Sequence, residues 1–429
     1  MPSSRLYWTV AALLVLSCGG TRGGPAGSPQ AVHRSTDATE DGTEGFHLNR
    51  TPAPVYWAAE QGYTGTFGWS LSYDGSTLIC GAPTRRNDQV AGAYLFAPVR
   101  GHEEVVGMRL IGRAETRLPS TNLGLCVAVC SNSALVGIHP NGVLALGKHA
   151  GKWRIEGVLG SFGDWQLSGC PLSCRDGLAV GAARARSKNA ALVYGREQGR
   201  WVPRKAVKLD HGAVVQAIHV QQKWLAVGTT SRLAVYEHAG VSVDRDQILP
   251  ITGEVYDVAG DGDWLAVALK SPAWTGTVRL FRHRPGHGWA AERDLAFDGV
   301  TPVALWGSFL AVGMPWENSS APEAGQVRVY HLDNDAWRIV AVVESPDRMG
   351  GRHFGESVAL RNDELVVGAP GSGDGMAGTV FFIDLLEERL DQHNVDTGEP
   401  RVVRPRASIE PVFYRHGAYV DPHSAPPPD

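Results

Sequence analysis

The chain has 429 residues, of which 43% are hydrophobic and 20% charged, and its formal net charge is -4. This balance gives no support for a nucleic-acid partner, or for an anionic surface held by bulk charge. The 52 glycines, 26 prolines and 13 tryptophans favour an all-β chain with many turns over a helical bundle.

The first residues, MPSSRLYWTVAALLVLSCGG, have the organisation of an export signal. Arg5 gives a short positive region, and the apolar run after it, roughly 11 residues long, is too short to span a bilayer. The run ends in VLSC, which resembles the bacterial lipoprotein box. This resemblance implies that residues 1–17 are a signal peptide and that Cys18 is lipidated. The alternative is an ordinary signal peptide with a chance cysteine.

Residues 18–50 are rich in Gly, Ser, Thr and Pro and contain few large apolar side chains. Such a composition cannot form a core, so we expect a disordered tether. With a lipid on Cys18, the tether would hold an exported protein at the membrane of the bacterial cell envelope, on the outer membrane or cell surface.

A unit of about 40–55 residues repeats seven times within residues 54–390. The clearest copies are FGWSLSYDGSTLICGAP at 67–83 and FGESVALRNDELVVGAP at 354–370. Weaker copies lie at 123–137, 167–183, 214–228, 255–268 and 303–315. Each copy contains two apolar runs, and a third follows it. In several copies there is also a fourth run that begins with Trp. Four strands repeated seven times predict a seven-bladed β-propeller of four-stranded antiparallel blades.

The pattern F-G-x-S, a turn, V-G-A-P and then G-x-V resembles the FG-GAP repeat, which builds the propeller of integrin alpha subunits and of many bacterial surface proteins. The resemblance implies a binding or adhesion platform for a surface protein or a glycan, with no catalysis and no cofactor. Calcium loops of this family need alternating carboxylates. The turns at Asp74, Asp176, Asp261 and Asn362 lack them, so we expect hairpin turns and no metal site.

The seventh copy lacks the fourth run that begins with Trp, and the missing piece occurs before the first copy, around Trp57. We therefore expect Val55–Glu60 to pair into blade seven beside the last copy, which would remove a free sheet edge. The rival is residues 409–414 of the tail. The rest of residues 391–429 reads as an irregular tail.

Four cysteines occupy equivalent positions in two consecutive copies, namely Cys126 and Cys130, then Cys170 and Cys174. Residues four apart on one strand are about 13 Å apart, too far for a disulfide. We expect Cys126–Cys170, Cys130–Cys174 or both to join blades two and three in an exported protein. The alternatives are four free thiols or a metal cluster. Cys80 is expected to be a buried free thiol.

Sequence signals for catalysis are weak. GSGDGMAG at 371–378 has a G-x-G-x-x-G spacing, but a strand follows it where a phosphate site needs a helix. The chain contains neither a G-x-S-x-G nor an H-E-x-x-H motif. An enzyme acting on glycans, with acidic residues in the central channel, is one alternative function. A purely structural envelope protein is another.

The loops after the second strands should share one face of the propeller, where binding residues concentrate on rigid scaffolds. Candidate contacts on these loops are Arg85, Arg86, Arg184, Arg186, Trp274 and Trp316. We expect the protein to be a monomer that binds through this face.

Overall fold

A computed structural model of the protein describes residues 55–60, 66–83, 91–100, 105–116, 122–139, 142–210, 212–239, 241–318, 320–346, 349–371, 378–385, 400–403, 407–415 and 418–419. This part of the chain contains 31 β-strands and no α-helix, as the composition predicts. No helix within it is long and apolar enough to cross a membrane.

Seven sheets of consecutive antiparallel strands form the predicted propeller. The first strands, which surround the axis, are β2 (Ser70–Tyr73), β6 (Asn122–Cys130), β10 (Gln166–Arg175), β14 (Val215–Val220), β18 (Glu254–Asp261), β22 (Val303–Trp306) and β26 (Ser357–Arg361). The second strands are β3 (Leu78–Ala82), β7 (Ser133–His139), β11 (Leu178–Ala185), β15 (Trp224–Thr229), β19 (Trp264–Lys270), β23 (Phe309–Met314) and β27 (Glu364–Ala369).

The outer half of each blade consists of its third and fourth strands. The third strands are β4 (Ala91–Arg100), β8 (Val143–His149), β12 (Lys188–Glu197), β16 (Leu233–Ala239), β20 (Gly276–Arg284), β24 (Gln326–Asp333) and β28 (Thr379–Asp384). The fourth strands are β5 (Val105–Thr116), β9 (Lys152–Val158), β13 (Arg200–Lys208), β17 (Ser242–Leu249), β21 (Gly288–Phe297), β25 (Ala336–Glu344) and β30 (Ala407–Arg415).

The hydrophobic core lies between the blades. In the described part, buried residues form seven clusters, each shared by two neighbouring blades, and the cluster of Phe67, Tyr94 and Val366 joins blade one to blade seven. Second strands such as β15, β23 and β27 are buried at every position. This explains why their sequences are apolar on both faces.

The glycines of the repeated motif allow neighbouring blades to approach closely. In blade one, Gly68 has φ of 86°, and a Cβ there would lie 2.9 Å from the Thr379 carbonyl oxygen of blade seven. In turn, a Cβ at Gly368 would lie 2.1 Å from the Gly68 oxygen. The Ser357 hydroxyl donates a hydrogen bond of 2.7 Å to that same oxygen. The motif is therefore a contact between blades, which only glycine permits.

The tail provides the fourth strand of blade seven. Val55–Glu60 joins the sheet of that blade, as predicted, but the expectation that it lies directly beside the last copy is wrong. Strand β30 pairs antiparallel with β28, and β1 (Val55–Glu60) pairs parallel with the outer edge of β30. Both segments run in the direction that a fourth strand needs, and both have an alternating pattern. The sequence therefore could not distinguish them. The tail also adds β29 (Arg401–Val403) to blade six and β31 (Ala418–Tyr419) to β30.

Candidate functional site

The two faces of the propeller carry different connections. At one face lie the turns from the first to the second strand of each blade, and we call it the turn face. At the other lie the loops from the second to the third strand together with the beginnings of the first strands, and we call it the loop face. This arrangement follows from the antiparallel order of consecutive strands in each blade.

At the loop face, the channel holds an acidic residue that links two blades. Asp257 of β18 accepts a hydrogen bond of 2.8 Å from the Val258 N–H and one of 2.9 Å from the Val303 N–H of blade six. Burial raises the pKa of Asp257, and the two N–H groups act in the opposite direction. A carboxylate held by two backbone donors is a structural bridge.

Tyr256 of blade five is influenced by a carboxylate of blade seven as well as by its own neighbour. Burial raises the pKa of Tyr256, and the charges of Glu356 and Asp257 raise it further. A phenol with a raised pKa keeps its proton at neutral pH, so Tyr256 can donate a hydrogen bond to a ligand at this level of the channel.

At the turn face, side chains cross the channel. The Arg361 guanidinium of blade seven lies 3.5 Å from the centre of the Trp306 ring, and that of Arg175 in blade three lies 5.8 Å from it. Burial lowers the pKa of Arg361, and the charge of Arg175 lowers it further. Blades three and six are not neighbours, so these cation–π contacts reach across the channel at this level.

The described turns at this face are hairpins, as predicted. Asp176 and Gly177 have φ of 47° and 81°, and Asn362 and Asp363 have φ of 49° and 63°. Asp74 caps its own turn by accepting hydrogen bonds from the N–H groups of Ser76 and Thr77. Within the described residues there is no group of three or more His, Cys, Asp or Glu that could hold a metal.

His219 of β14 connects blades four and five and should make stability depend on pH. Its Nε2 lies 2.8 Å from the Gly260 oxygen, and burial lowers its pKa to about 4. The unfolded chain therefore takes up this proton near pH 6.5, before the folded chain does, so stability is lost as pH falls from there towards 4.

We expect His219→Gln to remove about 2–3 kcal/mol of that pH-dependent loss. Urea unfolding of both proteins at several pH values between 4 and 7.5 measures it. His287→Gln, in the exposed turn after β20, is the control and should follow the wild type. Parallel curves for wild type and His219→Gln would mean that His219 titrates alike in both states.

Of the two tryptophans predicted at the loop face, Trp274 is the exposed one. It lies in the turn between β19 and β20, with φ of 65° and 46% of its surface exposed. The turn is fixed because the Trp274 N–H donates to the Ser271 oxygen, and the hydroxyls of Ser271 and Thr275 lie 2.7 Å apart. The Lys270 ammonium lies 4.7 Å from the centre of the ring.

The other predicted residues differ in their surroundings. Trp316 is half-buried, and its ring packs at 4.3 Å against His353. Arg184 and Arg186 are exposed in the β11–β12 hairpin, where Arg184 Nε donates to the Arg186 oxygen at 3.1 Å. Together with Trp274 they belong to loops of three different blades. The remaining three predicted residues, Arg85, Arg86 and Cys18, lie outside the described residues.

Both predicted disulfides are present. Cys126–Cys170 and Cys130–Cys174 join β6 of blade two to β10 of blade three, with Cα–Cα distances of 5.7 and 5.8 Å. Cys80 is a buried free thiol, also as predicted, and burial raises its pKa. The Gly68 N–H donates to its sulfur at 3.1 Å.

Comparison with known families agrees with this geometry. Residues 337–383, which run from β25 to β28, match the model of the FG-GAP repeat. This chain is a β-propeller that contains an FG-GAP repeat. No curated protein sequence matches this chain.

Solved structures resemble this propeller in fold. One is a chain of the mitotic checkpoint complex, with 11% identity, a TM-score of 0.52 and coverage of 80% of this chain and 98% of that one. Another is a protein from Lactobacillus plantarum, with 12% identity, a TM-score of 0.50 and coverage of 78% and 98%. At these identities the likeness concerns the fold alone.

Proposed function

We propose that the FG-GAP propeller is a binding platform for a surface protein or a glycan, with contacts on the loop face and no catalysis. The observation that carries this proposal is Trp274, an indole exposed on a rigid turn. A large ring fixed in place binds a sugar or an apolar side chain with little loss of conformational entropy. The channel acid Asp257 favours this reading, because both of its oxygens already accept backbone N–H groups.

Trp274→Ala tests the platform. We expect a glycan array and a pull-down from envelope extracts to identify a ligand for the soluble chain, and the variant to bind it at least about tenfold more weakly. Val241→Ala is the matched control, because Val241 is 36% exposed in the turn between β16 and β17, on the turn face. Equal binding by wild type and Trp274→Ala would contradict the proposal.

The proposed location is the bacterial cell envelope, with the chain anchored through lipidated Cys18. The two disulfides support export, since such bonds persist in oxidising compartments. Cys18→Ala should move the protein from the membrane fraction to the soluble fraction. Retention of that variant in membranes would contradict the anchor.

A second candidate function is an enzyme acting on glycans, favoured by the convergence of Tyr256, Asp257 and Glu356. In this reading Glu356 would serve as the acid or base, and the Tyr256 hydroxyl would donate a hydrogen bond to the glycan. Release of reducing sugar from a bound glycan, abolished by Glu356→Gln, would establish the enzyme. Binding of a glycan without any turnover would contradict the enzyme and leave the binding platform as the proposed function.

A further inference from the structure

Blade three carries a concentration of positive charge that the net charge of the chain conceals. Between Gln166 and Lys208 there are nine basic and two acidic residues, in a chain whose formal net charge is -4. Because salt screens exposed charges beyond about 8–10 Å, a partner at this blade experiences the local charge rather than the net charge.

The exposed basic residues lie on the β11–β12 hairpin at the loop face and along β13, which runs from one face to the other. We call them the blade-three strip: Arg184, Arg186, Lys188, Arg200, Arg204 and Lys208. Strand β13, which carries the last three, is the edge strand of its sheet. A shift in the β12–β13 register beside Arg204 interrupts the ladder, so β13 bends there. The neighbouring Lys205 is directed elsewhere, donating to the Val243 oxygen of blade four.

Few carboxylates neutralise the strip. Glu197 pairs with Arg204, while Glu156 of blade two pairs with Arg196, which lies outside the strip. Within the described residues, no carboxylate pairs with the other five members of the strip. These five cations, three on the β11–β12 hairpin and two on β13, repel one another, and an anionic partner would remove that repulsion.

The form of the strip indicates the class of partner. Exposed large apolar side chains are Val158, Phe162, Val241, Ile248, Trp274, Met349 and Val402 in the described part, and none belongs to blade three. The one aromatic side chain of β13, Trp201, is half-buried and packs against Arg196, so the strip has no exposed aromatic platform on which nucleic-acid bases could stack. It also lacks the apolar side chains with which a protein enters a lipid surface. A line of charges along β13 matches a linear polyanion.

We propose that the blade-three strip binds an acidic polysaccharide, whose carboxylates pair with the arginines and lysines along β13. Arg184 and Arg186 also belong to the loop face, but Trp274 is in another blade and β13 lies outside that face, so this proposal goes beyond the platform. The partner is a chain of uronic acids or a similar polymer with regularly spaced anionic groups.

The test uses the full chain carrying Cys18→Ala and immobilised polygalacturonate, with dextran as the neutral polymer. The strip variant is Arg200→Gln, Arg204→Gln and Lys208→Gln combined. The control variant combines Arg282→Gln, Arg284→Gln and Arg338→Gln, which removes the same charge from blades five and six. At about 0.1 M salt we expect the strip variant to bind at least about tenfold more weakly, and the control to stay within about twofold of the parent chain.

Three results would overturn the proposal: equal losses in the two variants, no binding of polygalacturonate by the parent chain, or equal binding of dextran. Vesicles of phosphatidylglycerol provide a further arm. Strip-dependent binding to the vesicles without binding to polygalacturonate would assign the surface to lipid instead. Trp274→Ala should leave polygalacturonate binding unchanged. The loop-face proposal can therefore fail while the proposal for the strip holds, and the reverse.

Discussion

Gly68→Ala should destabilise the propeller by about 3–4 kcal/mol, because it affects the contact that closes the ring. A left-handed φ of 86° costs an alanine roughly 1–2 kcal/mol. The new Cβ would also lie 2.9 Å from the Thr379 oxygen and 3.3 Å from the Ala369 nitrogen. Both are backbone atoms that cannot rotate away, so overpacking adds about 1–3 kcal/mol. Urea unfolding followed by tryptophan fluorescence measures the loss.

Gly199→Ala separates the two contributions. Gly199 lies in the β12–β13 turn with φ of 80°, but nothing lies within 4 Å of a Cβ built there. This control has the conformational cost without the contact, and we expect a loss of about 1–2 kcal/mol. Similar losses for the two variants would show that blades seven and one do not depend on the close approach.

Removal of both disulfides should cost about 6 kcal/mol, far more than removal of either one. Each bridge spans 44 residues, and closing a loop of that length stabilises the fold by about 4 kcal/mol in the chain-entropy model. With one bridge in place, the second closes only a ring of about ten residues, worth about 2–3 kcal/mol. Either bridge alone therefore keeps most of the constraint.

The comparison uses Cys126→Ala with Cys170→Ala, Cys130→Ala with Cys174→Ala, and all four substitutions together, in the chain carrying Cys18→Ala. Denatured without reductant, the parent should show one reactive thiol, that of Cys80. Dithiothreitol should destabilise the parent and leave the fourfold variant unchanged, which serves as the control. Strictly additive losses from the two pairs would contradict the shared-loop argument.

The repeat allowed the fold and the disulfides to be predicted, because equivalent positions in consecutive copies become neighbours in a propeller. Cys126 and Cys170 are an example, being 44 residues apart and bonded. The fourth strand of blade seven was not predictable in this way. Strand β30 has no leading Trp, and the competing segment Val55–Glu60 alternates equally well.

The residues that meet across the channel were missed for a different reason. Arg175 and Trp306 belong to blades three and six, and Tyr256 and Glu356 to blades five and seven. Their proximity depends on the number and tilt of the blades, which no local spacing encodes. The charge of blade three, by contrast, was visible in the sequence from Arg175 to Lys208, and the net charge of -4 obscured it.

The junction between blades seven and one uses the same glycine contact as junctions that the chain crosses continuously. Gly368 approaches the Gly68 oxygen as Gly81 approaches that of Gly124 and Gly313 that of Gly355. The packing between blades thus does not distinguish the junction of blades seven and one from these two junctions. The contact that closes the ring is therefore of the same kind as the contacts between blades that follow one another in the chain.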